Sequence, residues 1–184
     1  MTAAERAMSL GRYESALEIY DRLYAAGKRD PNVLMGRALA LQHLGRNDEA
    51  IGVYDDLLGL RPNNLEAQIN MLGLMAGTYP SVALKRLEDI ADKHPDNIGI
   101  IAQMAYISAK LGEAQQAIRY LGMAASMEPE NANHIYNMAV IADMNGAKNE
   151  AIKYYEQALE IDTLYGSGKT IPRDQVFERL ARIR

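Results

Sequence analysis

An all-α solenoid of helix-turn-helix repeats, closed by a C-terminal capping helix, is the fold class this chain predicts. Two observations carry the prediction. Ala16, Ala50, Ala83, Ala117 and Ala151 follow one another at 34, 33, 34 and 34 residues. Each sits in a segment whose apolar residues recur at helical spacing, and a glycine (Gly11, Gly45, Gly112 or Gly146) precedes four of the five. Self-similarity at that period marks stacked helical hairpins, each burying its apolar wall against its neighbour.

Composition agrees. Apolar residues make up 48% and charged residues 24% of the 184, the balance of a globular chain. A net charge of -4 is too mild for a nucleic-acid footprint. With no cysteine, a disulfide framework and a thiolate zinc site are excluded. No apolar run approaches the roughly 20 residues of a membrane helix, and the N-terminus lacks the apolar core of a signal peptide. A soluble segment without direct membrane insertion is therefore expected.

In order, residues 1–10 form a helix ended by Gly11, which suits a left-handed C-terminal cap. The next helix, about Glu14 to Ala26, puts Ala16, Leu17, Tyr20, Leu23 and Tyr24 on one face. The first helix looks clipped beside its counterparts, which predicts that the chain is part of a longer protein carrying an anchor or address upstream. After the linker Gly27-Lys28-Arg29-Asp30, Asp30 suits a cap and Pro31 a first helical turn. That helix runs to His43 or Leu44, and its partner (Asp48 to Leu60) buries Ala50, Ile51, Tyr54, Leu57 and Leu58.

Pro62 opens the third repeat, where Asn63 with Glu66 reads as a capping pair. This repeat is one residue short and carries Gly73, Gly77 and Pro80. Because glycine inside a helix costs roughly 0.5–1 kcal/mol relative to alanine, the array is expected to deform most easily here. Pro95 and Asp96 start the fourth repeat and Pro129 the fifth. Residues 162–170 read as a flexible loop, and a last helix from Pro172 carries Val176, Phe177, Leu180 and Ile183 as its apolar stripe. The expected organisation is an array over 1–163 (repeats 1–30, 31–62, 63–95, 96–129 and 130–163), a loop at 164–171 and a capping helix at 172–184.

These units resemble tetratricopeptide repeats (TPR). The fifth carries Ala139, Gly146, Ala151, Tyr155 and Ala158, and the fourth Ala105, Gly112, Ala117, Leu121, Ala124 and Pro129. The second carries Ala38, Gly45, Ala50, Tyr54 and Pro62, the first Gly11, Ala16 and Tyr20, and the third keeps only Ala83 and Pro95. The resemblance implies a right-handed superhelix whose first helices line a concave groove. It implies a non-enzymatic scaffold or adaptor that binds another protein, as a peptide or helix, with no cofactor. The string YNMAVIADMNG followed by AIKYYEQALEI is similar to bacterial TPR accessory scaffolds of pilus and secretion systems. That likeness puts the bacterial envelope or periplasm ahead of the cytoplasm.

Phasing each repeat by its glycine and alanine predicts the groove lining. It comprises Met35, Leu39 and Gln42 in the second repeat, Gln68, Leu72 and Met75 in the third, Ala102, Tyr106 and Lys110 in the fourth, and Tyr136, Asn137, Val140 and Asp143 in the fifth. The stripe is largely apolar and suits a helix or an extended peptide. TPR proteins of the chaperone-adaptor type clamp a C-terminal carboxylate with lysine, asparagine and arginine, and Lys110 alone makes no such clamp. Self-assembly into a homo-oligomeric scaffold is the alternative. Arg37 and Asn70 are placed to meet between neighbouring first helices, unless Arg37 snorkels to the rim.

Catalytic chemistry finds no support. Gly166-Ser167-Gly168-Lys169-Thr170 imitates a phosphate-binding loop, but the full motif needs glycine where Thr163 stands, a strand before it and a helix directly after. His43, His94 and His134 lack the local pairing of metal motifs. The carboxylate pairs Asp55-Asp56 and Glu88-Asp89 fall on outward stretches of helix.

Overall fold

In the computed structural model, residues 2–27 and 30–184 are described. They form eleven helices and, among the described residues, no strand. The helices are α1 (Ala3–Ser9), α2 (Tyr13–Ala25), α3 (Pro31–His43), α4 (Asn47–Leu60), α5 (Leu65–Met75), α6 (Pro80–Ala91), α7 (Ile98–Lys110), α8 (Ala114–Met127), α9 (Ala132–Met144), α10 (Lys148–Leu164) and α11 (Arg173–Ile183). The linker residues Lys28 and Arg29 lie outside the described residues. The expected all-α class and the final helix are present.

Helix starts follow two rules. The first helix of each pair begins on a side chain: Thr2, Asp30, Asn64, Asn97 and Asn131 each accept a backbone N–H of the opening turn, satisfying a donor the helix itself leaves free. Asn64, not Asn63, is therefore the cap of the third repeat, since only the residue directly before the helix reaches the Ala67 N–H (3.0 Å). Pro62, Pro95 and Pro129 stand two residues ahead of their caps, so among the prolines opening repeats only Pro31 enters its helix. The second helices α2, α4, α8 and α10 have no side-chain cap. Their entry angle is set by the preceding turn, where Gly11, Gly45, Gly112 and Gly146 sit at φ +69 to +78°, a region costly for residues with a Cβ.

The chain divides into two compact units, Met1–Thr78 and Tyr79–Arg184. In the first, α2 packs between α1 and α3, and α4 packs on α3 and α5. Leu34, Leu41, Tyr54 and Leu57 form its centre, all at most 1% exposed, and each such side chain contributes about 1.5–3 kcal/mol by leaving water. In the second, α7 packs on α6 and α8, α9 lies between α8 and α10, and α11 covers α10. Ile100, Ile101, Ile107 and Val176 anchor that core. All five phasing alanines are completely buried, which fits a role in letting paired helices approach closely.

The C-terminal segment departs from expectation twice. Asp162, Thr163 and Leu164 continue α10 instead of joining a loop. On α11 the buried stripe is Val176, Leu180 and Ile183, spaced four and three residues apart, whereas Phe177 points outward at 51% exposure with the Arg173 guanidinium 5.6 Å from its ring centre.

Candidate partner-binding surface

In the first unit most of the residues expected to line a groove are engaged by their own chain. Gln42 accepts a hydrogen bond from the Tyr54 hydroxyl (3.0 Å), a phenol fully enclosed by the core and pushed up to about 12 by that burial. Gln68 donates Nε2 to the Pro62 carbonyl (2.7 Å). Met35 packs partly buried against the core, and Leu39 and Met75 are half-buried. Leu72 is a correction: at 5% exposure it is a core residue, because α5 turns that position toward its own packing. Arg37 does not meet Asn70. Its Nε donates to Asp21 (2.6 Å) on α2 and its guanidinium lies 5.0 Å from the Tyr24 ring centre.

The second unit keeps more of its expected surface free. On α7, Tyr106 is 54% exposed and the Lys110 ammonium, one turn on, sits 5.2 Å from the centre of its ring. That spacing brings a cation over an aromatic face on one side of a helix. On α9, Asn137 is exposed and Val140 half-buried. Tyr136 is half-buried and tilts against Tyr155 with ring centres 6.2 Å apart. Since α7 and α9 both pack on α8, Tyr106, Lys110, Tyr136, Asn137 and Val140 are carried by the first helices of neighbouring repeats.

Asp143 is a correction to the expected lining. Its side chain is 9% exposed, and both oxygens are taken by Arg179 of α11 (2.6 and 2.7 Å). The arginine holds this carboxyl below its ordinary value against an opposing push from burial. The Tyr155 hydroxyl also donates to it (3.3 Å), and that phenol is pushed up to about 12, first by burial and then by the Asp143 charge. Nothing in the single sequence marks Arg179 as a partner, since it lies 36 residues from Asp143.

The segment that imitates a phosphate-binding loop is built around a carboxylate. Asp162, with no exposed surface, accepts from the Thr170 N–H (2.8 Å) and from Arg173 Nη1 (3.0 Å). Its own carbonyl takes the Gly166 and Gly168 N–H groups (3.0 and 2.9 Å). These bonds fasten the loop onto Asp162, and the Gly166, Gly168 and Thr170 N–H groups are spent internally. Among the described residues, no group of three or more His, Asp or Glu side chains could hold a metal ion. No helix among them is long and apolar enough to cross a membrane.

The model of the tetratricopeptide repeat matches residues 1–64 and 103–165. The chain belongs to the tetratricopeptide repeat family. Solved TPR structures share its fold. MamA (residues 41 to the end) from Desulfovibrio magneticus RS-1 superposes with a TM-score of 0.74 at 20% identity, covering 87% of this chain and 91% of that one. TTC0263, a thermophilic TPR protein of Thermus thermophilus, gives 0.72 at 23% identity over 98% and 94%. YrrB, described as a TPR protein with an unusual peptide-binding site, gives 0.68 at 16% identity over 97% and 88%. No curated protein matches the chain in sequence. TPR membership fits a protein-interaction scaffold, and TPR folds are typically non-enzymatic.

Proposed function

We propose that this TPR chain is a non-catalytic scaffold that holds a helix or extended peptide of a partner protein on the exposed faces of α7 and α9. The observation that carries the reading is Tyr106. The helix that bears it buries Ile100, Ile101, Met104, Ala105 and Ile107, yet leaves this aromatic ring half in water with a lysine over it. Aromatic side chains are the residues that most often anchor an interface. YrrB's peptide-binding site supports the use of a TPR architecture in this way. The likeness of the fifth repeat to accessory scaffolds supports an envelope, pilus or secretion assembly as the setting.

The test is a double substitution, Tyr106→Ala with Tyr136→Ala, in affinity capture from a native lysate read by mass spectrometry. Partner recovery is expected to fall while circular dichroism stays unchanged. Unchanged recovery would place the binding surface elsewhere, and recovery of the chain itself as the main product would favour self-assembly.

A further inference from the structure

Among the described residues, most of the cations that lie over aromatic rings are tied down. Arg37 over Tyr24 is held by Asp21, Arg119 over Tyr120 by Gln116, and Arg173 over Phe177 by the buried carboxylate of Asp162. Lys110, 5.2 Å from the Tyr106 ring centre, differs, since no hydrogen bond or ion pair engages its ammonium.

The sequence around it supplies the reason. Helix α7 carries no aspartate or glutamate, and Lys110 is its one charged residue. Glu113, the nearest acid in the sequence, precedes α8 and forms no ion pair with it. Helix α9 carries one carboxylate, Asp143, and Arg179 takes both its oxygens. Lys148, the first residue of α10, adds a positive charge that also reaches Asp143. The exposed faces of α7 and α9, both within the second unit, thus offer a free cation and no free carboxylate.

Resting on the reading of α7 and α9 as the docking face, we propose that the partner segment is acidic and that Lys110 selects it. A cation over a ring is weakly held at an exposed site, whereas an ammonium and a carboxylate form the stronger, charge-assisted class of hydrogen bond. A glutamate or aspartate side chain of the partner therefore draws Lys110 off Tyr106. An apolar side chain beside that acid takes the vacated face of the ring, which is 54% exposed. A basic segment meets Lys110 as a like charge and leaves the ring covered.

The probes are fluorescein-labelled amphipathic peptides with the same leucine and phenylalanine positions and with glutamate, glutamine or lysine at every polar one. Their C-termini are amidated, so no terminal carboxylate contributes. Anisotropy titrations use the full chain, whose net charge of -4 attracts the lysine peptide overall, so a preference for glutamate has to be local. The glutamate peptide is expected to bind at least about tenfold more tightly than the glutamine peptide, with a gap that shrinks as salt is added. Lys110→Glu should reverse the order, and Lys110→Met should level the two peptides while keeping binding. In the free chain the Tyr106 ring current shifts the Lys110 ε-methylene protons upfield; the glutamate peptide should return them to their ordinary position. Equal binding of all three peptides, lost in Tyr106→Ala with Tyr136→Ala, would overturn this inference and leave the docking face standing. A glutamate preference that survives Lys110→Glu would overturn it too, and binding of no peptide would overturn both readings.

Discussion

Arg179 on α11 grips Asp143 on α9 through two hydrogen bonds, Nε at 2.6 Å and Nη2 at 2.7 Å. The pair ties the last helix to a first helix 36 residues earlier and leaves little of the carboxylate to solvent. Asp143→Ala removes that clamp together with the acceptor of the Tyr155 hydroxyl, and should cost about 1–3 kcal/mol. Arg179→Ala, which strands the carboxylate, should lower the melting temperature more than Arg182→Ala, whose contact with Glu178 is 3.7 Å long between exposed side chains and of a kind worth little. Equal melting temperatures for the two arginine variants would show that the clamp carries no stability.

Gly36 and Tyr20 define a second prediction. A Cβ at Gly36 would lie 2.2 Å from the Tyr20 ring, and that ring is buried where α2 meets α3. Gly36→Ala therefore forces a bulky side chain to move and should destabilise by about 1–3 kcal/mol despite the better helix propensity of alanine. Gly52 faces open space on α4, so Gly52→Ala should stabilise by up to about 1 kcal/mol. Urea titrations of both variants check the opposite signs.

The contrast shows what one sequence makes legible. Period, class and turn glycines are readable because each is a local rule repeated in phase: Gly11, Gly45, Gly112 and Gly146 all occupy the left-handed turn expected of them. The cap of the third repeat reads one residue early, because Asn63 and Asn64 are chemically identical and only backbone direction separates them. The surface is the least legible part. Leu72 shares its helical phase with the exposed Tyr106, and packing removes it from the surface, whereas Asp143 is taken by Arg179. Such long-range partners leave no trace in spacing.

Ser108 yields a prediction of the opposite sign to most core changes. Its hydroxyl is fully buried in α7 and has no hydrogen-bond partner. A polar group in that position costs free energy that a methyl does not. Ser108→Ala should therefore leave stability unchanged or raise it by up to about 1 kcal/mol, checked by the urea midpoint. A clear loss would show that the hydroxyl bonds to something, most simply the carbonyl one turn back.

Acid should weaken the fold in a defined window. Glu128 is held low by His134 and Asn131 and Asp143 by Arg179, while burial pushes Asp162 up and the bonds from Arg173 and Thr170 outweigh it to leave its carboxyl low. A carboxyl depressed in the folded state stabilises above its unfolded value, and that contribution is lost as pH falls through the folded one. Stability should thus be full at neutral pH, start to fall near the ordinary values of 4.5 for glutamate and 3.8 for aspartate, and keep falling below them. Asp143→Asn combined with Asp162→Asn should flatten this acid limb in urea midpoints measured across pH. An unaltered slope would assign it to other carboxylates.

Asp162 gives the last prediction, because it separates the look of the GSGKT segment from its chemistry. A phosphate cradle needs backbone N–H groups free to point at an anion. Here the Gly166, Gly168 and Thr170 N–H groups all bond to Asp162, so three of the backbone donors a phosphate would need are already taken. A titration with magnesium-ATP should give no saturable signal, and Lys169→Ala should alter neither that result nor stability, since Lys169 is exposed. Asp162→Ala, by contrast, leaves the Thr170 N–H without its acceptor and takes from Arg173 its charged partner, leaving it the Leu159 carbonyl and the Thr163 hydroxyl, and should cost about 1–3 kcal/mol. Gly166→Ala should weaken the same loop, because its Cβ would fall 2.5 Å from an Asp162 oxygen. Saturable nucleotide binding abolished by Lys169→Ala would reverse the assignment and make the carboxylate a gate instead of a brace.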